Sequence, residues 1–275
     1  VRGLCLANLT VADAGPLALI DAAAQAGFTS VNLWLTEPPS MAMFTLQRRS
    51  EAPLIGDAQR VAEVCARLRA SDVRVQAASA GWLSADFDRA RVPAVVDVAA
   101  QLGTRVLAVV GWDQERARLI EHLGLVSELA AQAGMLVGLE PMTYSAVATL
   151  SDAVAIVDAL AATNLRLIID ALHLVRSGGT PAQVAALAPD QIISLQLCDG
   201  PAIAPPPDRL RYESVNDRLH PGNGAFPLDE LLAAIPESAT IEVEAPVLAE
   251  AGASIDQRAR SSFEYASRFL EANPR

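Results

Sequence analysis

Four apolar runs in the second half of the chain each end in a residue able to hold a hard cation. They are Leu136-Val137-Gly138-Leu139-Glu140, Leu165-Arg166-Leu167-Ile168-Ile169-Asp170, Ile192-Ile193-Ser194-Leu195-Gln196 and Thr240-Ile241-Glu242-Val243-Glu244. One such carboxylate alone would read as a helix cap or a loop acid. Three of them, joined by a carboxamide and all at the ends of apolar runs, form a set of oxygen donors aimed at one point. An ionised carboxylate among leucines and isoleucines is costly unless it is paired. All 21 basic residues are arginine, and none lies on these runs near the polar ends. A divalent cation is therefore the expected counter-charge, and an all-oxygen set suits Mn2+ or Mg2+. Glu140, Asp170, Gln196 and Glu244 are the expected ligands. The absence of lysine also excludes chemistry through a lysine Schiff base.

Converging donors need a scaffold that brings strand ends together, and the periodicity of the chain supplies one. Short apolar runs alternate with helical patterns throughout. Strands are expected at Gly3–Leu6, Val31–Leu35, Val73–Ala78, Arg105–Val110, Leu136–Glu140, Leu165–Asp170, Ile192–Leu197 and Thr240–Glu244. Helices are expected over Pro16–Ala26, Asp57–Ala70, Ala90–Leu102, Glu115–Ala133, Ser151–Ala162, Pro181–Leu187, Leu228–Ala234 and Ser254–Glu271. Pro16 suits a helix start, while Gly27, Gly103 and Gly134 suit helix ends. Strands this apolar belong to a parallel sheet covered by helices, and eight strand–helix units close most naturally as an α/β barrel, (β/α)8. One domain over residues 1–275 is expected, with no internal boundary or further repeat.

Two connections exceed the others, Thr36–Gly56 and Asp199–Pro227. Both follow strands, on the C-terminal face where barrel active sites lie. The chain's three tryptophans, Trp34, Trp82 and Trp112, fall at the ends of the second, third and fourth strands. With Met41, Met43 and Phe44 they are expected to form an apolar wall opposite the acids, suited to a sugar face or a ring rather than to a small, highly charged phosphate ester. His122, inside a helix, is expected at the surface. Glu242 shares strand parity with Glu244, so both point into the barrel.

Composition narrows the partners. A net charge of −11 and a pI near 4.7 disfavour nucleic acid, which needs a basic footprint. A hydrophobic content of 52% and a mean hydropathy of +0.28 support a large core, but no apolar run is long enough for a membrane span. The first residues do not resemble a signal peptide, and Cys5, Cys65 and Cys198 form no CxxC pair or disulfide framework. A reducing cytoplasm is expected, with self-association into a homo-oligomer left open.

The motifs Glu140-Pro141, Asp170-Ala171-Leu172-His173, Gln196-Leu197-Cys198-Asp199-Gly200, Pro221-Gly222-Asn223-Gly224 and Glu244-Ala245-Pro246 together resemble the sugar phosphate isomerase/epimerase superfamily. This is the xylose-isomerase-like TIM barrel group of the AP endonuclease 2 type. The resemblance spans nearly the whole chain and is most specific from Gly138 onward. It implies a metal held by Glu140, Asp170, Gln196 and Glu244, with Glu244 preferred over Glu242 because Glu-x-Pro fits the family's last strand. Epimerases of the group usually carry histidine at the position of Gln196. Hydroxypyruvate-isomerase-like members carry glutamine there and a similar Pro-Gly-x-Gly stretch. The resemblance also implies substrate contacts from His173 and Arg218, and His220 is a further candidate.

The leading expectation is thus a metal-dependent isomerase or epimerase of a sugar or related hydroxy-ketone. Glu140 and Glu244 would move the proton through an enediolate. A dehydratase acting on a cyclic hydroxy-ketone, of the 3-dehydroshikimate type, uses the same site, and a non-catalytic binding protein retaining the fold is the third reading. A nuclease is disfavoured, since a trinuclear zinc cluster needs many histidines and the chain offers only His122, His173 and His220.

Overall fold

The computed structural model describes residues 3–36 and 54–274. Its strands are β1 (Cys5–Ala7), β2 (Ser30–Trp34), β3 (Arg74–Leu83), β4 (Val106–Gly111), β5 (Leu136–Glu140), β6 (Leu165–Asp170), β7 (Ile192–Leu197) and β8 (Thr240–Val243). They are all parallel and follow chain order around a closed barrel, with β1 pairing β8. The helices are α1 (Pro16–Ala26), α2 (Ala58–Ser71), α3 (Val92–Gln101), α4 (Arg116–Gln132), α5 (Leu150–Leu160), α6 (Ala171–Arg176), α7 (Pro181–Ala185), α8 (Leu210–Asn216), α9 (Leu228–Ala234) and α10 (Ile255–Ala272). The expected (β/α)8 barrel is the observed one. Among the described residues no helix is long and apolar enough to cross a membrane.

The strands form because near-continuous Val, Leu and Ile runs are buried on both faces; every residue of β4 and β7 is buried. The helices start where side chains satisfy their first backbone N–H groups: Asp57 caps α2, and Thr149–Asp152 and Ser254–Gln257 form capping boxes on α5 and α10. Closure is reinforced outside the barrel, where Phe28, leading into β2, meets Phe263 of α10 edge to face at 5.1 Å.

The register sets the level of the polar strand ends. Asp170 is the Cα partner of Gln196, and Gln196 that of Glu242. These three residues share one row, and Glu244 stands one inward-facing step nearer the mouth.

Several expectations need correction. β3 does not stop at Ala78 but continues to Leu83, with a register shift against β4 between Ser79 and Gly81. Gly81 has φ 146°, which an L side chain rarely adopts, and it is the residue that lets the strand bulge and go on. The 199–227 connection holds a helix, α8, after Pro205-Pro206-Pro207, and α6 follows β6 directly; neither was expected. His122 is buried on α4, 5.2 Å from the Phe87 ring, rather than at the surface. Met41, Met43 and Phe44 lie outside the described residues.

Candidate functional site

A cavity of about 80 Å3 opens at the C-terminal ends of the strands, lined by Glu140, Gln196, Glu244, His173 and Arg218 on one side and by Trp34 and Trp82 on the other. Asp170 reaches the same acids from the floor. Its Oδ1 accepts the backbone N–H of His173 at 2.8 Å, which makes Asp170 the N-cap of α6. Its Oδ2 accepts Arg218 Nη1 at 2.6 Å. One donor atom from each of Glu140, Asp170 and His173 lies within 4.8 Å of the others. Ligands about 2.0–2.4 Å from a shared ion fall within such a spread.

Gln196 lies among the acids. Its amide nitrogen is 3.4 Å from Glu140 Oε2 and 3.5 Å from Glu244 Oε1. With the amide turned over, that nitrogen would instead be 3.2 Å from Asp170 Oδ2 and 3.3 Å from Glu140 Oε1. In either orientation one end of a neutral amide faces carboxylates, and its oxygen can be turned toward a cation without moving the strand.

Arg218 is the counter-charge that the strand sequences do not reveal. It arrives from the 199–227 connection, is 1% exposed, and besides Asp170 reaches Glu244 Oε2 with Nη2 at 3.3 Å. Nε donates to Ser214 O at 2.7 Å, and the backbone N–H of Arg218 donates to Pro246 O at 3.0 Å. The connection itself is organised by Asp199, whose carboxylate accepts the N–H groups of Gly200, Gly222, Gly224 and Phe226 at 2.8–3.1 Å. A Cβ on Gly224 would stand 2.3 Å from Asp199 Oδ1, which explains glycine at that turn position. Helix α8 is pinned to α6 by the buried pair Arg176 Nη2–Glu213 Oε1 at 2.6 Å.

Three carboxylates thus face one guanidinium, and the imbalance is felt in their protonation. Burial, with the charge of Asp170 adding to it, pushes Glu140 up to about 8. Burial likewise holds Glu244 well above the carboxylate range, although Arg218 opposes it. Burial would raise Asp170 too, but the charge of Arg218, His173 and two hydrogen bonds outweigh it and hold Asp170 below its ordinary value. The difference follows the distances to Arg218, 2.6 Å for Asp170 and 3.3 Å for Glu244. Burial pushes His173 down to about 4, so its ring is neutral near pH 7. A buried acid cluster with one permanent cation must take up protons or a further cation. The residues present therefore fit a divalent ion: Glu140, Asp170, Gln196 and Glu244 all offer oxygen, and His173 is near enough to add nitrogen.

The other expected site residues divide. Trp34 and Trp82 line the cavity, whereas Trp112 stands behind Trp82, edge to face at 5.0 Å. His220 is not among the lining residues: its Nε2 is 2.9 Å from Glu250 Oε1 and 3.3 Å from Ser261 Oγ, and its ring stacks on Tyr265 at 4.5 Å. It ties the Pro221–Gly224 turn to α10. Glu242 does not line the cavity and accepts a hydrogen bond from Asn32 Nδ2 at 3.1 Å deeper in the barrel. Sequence reasoning missed Tyr144, Arg211 and Ser214, all of which line the cavity. The Tyr144 hydroxyl is 2.7 Å from Ser214 Oγ, and the Arg211 guanidinium sits 5.2 Å from the Trp112 ring and 5.8 Å from that of Tyr144. Tyr144, four residues past Glu140 on a strand-following loop, carried a usable signal; Arg211 and Ser214 did not, because their helix was unread.

The acids stand at the C-terminal mouth of a closed parallel barrel, where (β/α)8 enzymes carry their active sites. The family described as xylose isomerase-like TIM barrel matches residues 20–265, and the chain belongs to it. No curated protein matches the chain in sequence. Among solved structures, the chain is similar to IOLI protein crystallised "with a binding zinc atom", with a TM-score of 0.79 and 16% identity over 99% of each chain. It is similar to a probable 3-DHS dehydratase, AsbF, from Bacillus anthracis, with a TM-score of 0.73 and 15% identity over 100% of each chain. It is also similar to 3-keto-D-glucoside 4-epimerase, YcjR, from E. coli, with a TM-score of 0.70 and 15% identity over 98% of this chain and 100% of that one. At these identities the likeness is one of fold.

Proposed function

We propose that the protein is a divalent-metal-dependent isomerase or epimerase that moves a proton next to the carbonyl of a sugar or related hydroxy-ketone. The observation that carries this reading is the cluster of Glu140 with the buried Asp170, Gln196 and Glu244, in which, among the described residues, Arg218 is the one arginine ion-paired with the acids. A divalent cation held by these four residues, Mn2+ or Mg2+ by the chemistry of the donors, would supply Lewis-acid polarisation of the carbonyl and its neighbouring hydroxyl.

The remaining chemistry belongs to the chain. Glu140 and Glu244 flank Gln196 and are the two acids that burial makes most ready to hold a proton. One would remove the proton from the hydroxyl-bearing carbon next to the carbonyl, and the other, already carrying a proton, would deliver it to the resulting enediolate. Holding a divalent cation would lower the basicity of both carboxylates, and the same cation would lower the pKa of the substrate C–H next to the carbonyl. Arg218 fixes Asp170 and Glu244 in relation to each other, leaving Glu140 outside the ion pair. Neutral His173, its Nδ1 3.3 Å from Thr143 Oγ1, can meet a substrate oxygen without adding charge. Trp34 and Trp82 offer apolar faces to the carbon chain and restrict water.

A second reading keeps the same acids and changes the outcome. Where a hydroxyl lies β to the carbanion, elimination replaces reprotonation, and the aromatic wall of Trp34 and Trp82 favours a cyclic substrate for such a dehydratase. One experiment separates the two. The metal-loaded protein is incubated with a panel of ketoses and cyclic hydroxy-ketones, and products are followed by NMR and ultraviolet absorbance. An isomeric product of unchanged mass supports the isomerase; a product lighter by water that absorbs in the ultraviolet supports the dehydratase. Cation-dependent binding without turnover or proton exchange on any member of the panel would leave a binding protein. The free cysteines Cys5, Cys65 and Cys198 suit a reducing compartment, which supports the cytoplasm as its location.

A further inference from the structure

We propose that the substrate carries a ring-sized substituent beside its hydroxy-ketone, and that this ring lodges in a second chamber next to the reaction cavity. The inference rests on the hydroxy-ketone reading above and extends it to the substrate's far end.

The second chamber has a volume of about 460 Å3, against about 80 Å3 for the acid-lined cavity. An apolar space of ~150 Å3 is enough for a benzene ring, and sites for small organic ligands run from roughly 300 Å3 upward. The acid-lined cavity is the smaller of the two, and the chamber has room for a further ring. Trp82, Phe87 and Trp112 form its aromatic walls, and Val95 of α3 and Val126 of α4 close it at the back. Its charged lining residues, Asp86, Asp88 and Arg91, are all exposed. The interior therefore suits the apolar face of a ring better than a phosphate or a carboxylate.

The two spaces adjoin. Thr36, Gly81, Trp82 and Val109 line both. The common boundary is the bulged end of β3, where Gly81 at φ 146° has no side chain. A Cβ there would stand 3.7 Å from Phe87 Cε2 and 3.7 Å from Thr36 Oγ1, within the boundary itself. The bulge thus leaves the boundary bare and turns the Trp82 indole so that it serves both spaces, the use to which bulges beside active sites are commonly put.

The test compares three ketoses by calorimetry on protein supplied with Mn2+: D-fructose, its 4-O-galactosyl derivative, and 1-anilino-1-deoxy-D-fructose. Val95→Phe and Val126→Phe, on two different helices, fill the chamber from the back, and their folding is checked by thermal unfolding. At least one ring-bearing ketose should bind about tenfold more tightly than fructose, and each correctly folded variant should remove most of that advantage while leaving fructose within about twofold. Which derivative gains identifies the ring as saccharide or aryl. Equal affinities, failure of both ring-bearing ketoses to bind, or an advantage that survives both variants would overturn the proposal. Loss of fructose binding is a separate failure. If fructose does not bind while a ring-bearing probe does, and that probe is weakened by Val95→Phe, the chamber stands and the hydroxy-ketone reading falls.

Discussion

Arg218 Nη1 lies 2.6 Å from Asp170 Oδ2, with the two side chains 1% and 0% exposed and 48 residues apart in the chain. The same guanidinium reaches Glu244 at 3.3 Å, so two of the three strand-end acids share one buried cation and Glu140 has none. Breaking a buried ion pair by removing one partner leaves an uncompensated charge and typically costs about 3–5 kcal/mol. Arg218→Met should therefore lower the unfolding free energy of chelator-treated protein by about that amount in urea titrations. Added Mn2+ should recover part of the loss. A change below ~1 kcal/mol would mean that the acids are already neutral without Arg218.

The stability of the metal-free protein should depend on pH through Glu140. Its folded value is raised to about 8 from an ordinary 4.5, so between those values the native state binds the proton more tightly than the unfolded chain does. Stability is then fully present below the unfolded value and falls as pH rises through about 8. Thermal midpoints in chelator should decline from pH 6.5 toward pH 8, the window above the ordinary value of His173, whose burial in the neutral form acts in the opposite sense at lower pH. Glu140→Gln should flatten the decline. A midpoint that rises over this window in the parent protein, or a slope that Glu140→Gln leaves intact, contradicts the assignment.

Metal content provides a separate check on the ligands. The parent protein, stripped and reloaded with Mn2+ or Mg2+, should hold one ion per chain by elemental analysis. Glu140→Gln and Asp170→Asn should each bind it far more weakly, since each removes a charged oxygen donor from a small set. Unchanged metal content in both variants would move the ion elsewhere.

The tryptophans should act unequally. Trp34 and Trp82 line the reaction cavity, whereas Trp112 stands behind its wall, against Trp82, Tyr144 and Arg211. Trp34→Ala and Trp82→Ala should raise KM by about three- to tenfold with a smaller change in kcat, because a stacking surface binds ground state and transition state alike. For a ketose without a ring substituent, Trp112→Ala should have the smallest effect of the three. Unchanged KM in the first two would reduce them to packing.

Much of this architecture is written locally. The ends of β5 and β6 are legible because an apolar run breaks at Glu140 and Asp170, and α1 and α9 because their apolar stripes and terminal residues agree. What was not legible depends on tertiary contacts. Nothing near Arg218 in the chain says that its guanidinium crosses to Asp170 and Glu244; that follows from the turn that Asp199 organises and the backbone bond to Pro246. Helix α8 is hidden behind three prolines and is held by the Arg176–Glu213 pair rather than by strong periodicity. The continuation of β3 past Ala78 was not legible because it depends on a bulge at Gly81 that shows only in the pairing with β4. His122 was expected to be exposed because a polar residue on an outer helix usually is, whereas here it packs against Phe87 beneath the side chamber.

The most direct test follows the proton itself. With a ketose that the protein turns over, in D2O and with Mn2+ or Mg2+ supplied, deuterium should enter the carbon next to the carbonyl. Glu244→Gln should abolish that exchange, because it removes an acid–base group, and Gln196→His should retain it, because histidine replaces a neutral donor without touching the proton path. Exchange that survives Glu244→Gln but is lost in Gln196→His would contradict the account and transfer the substrate-handling role to Gln196.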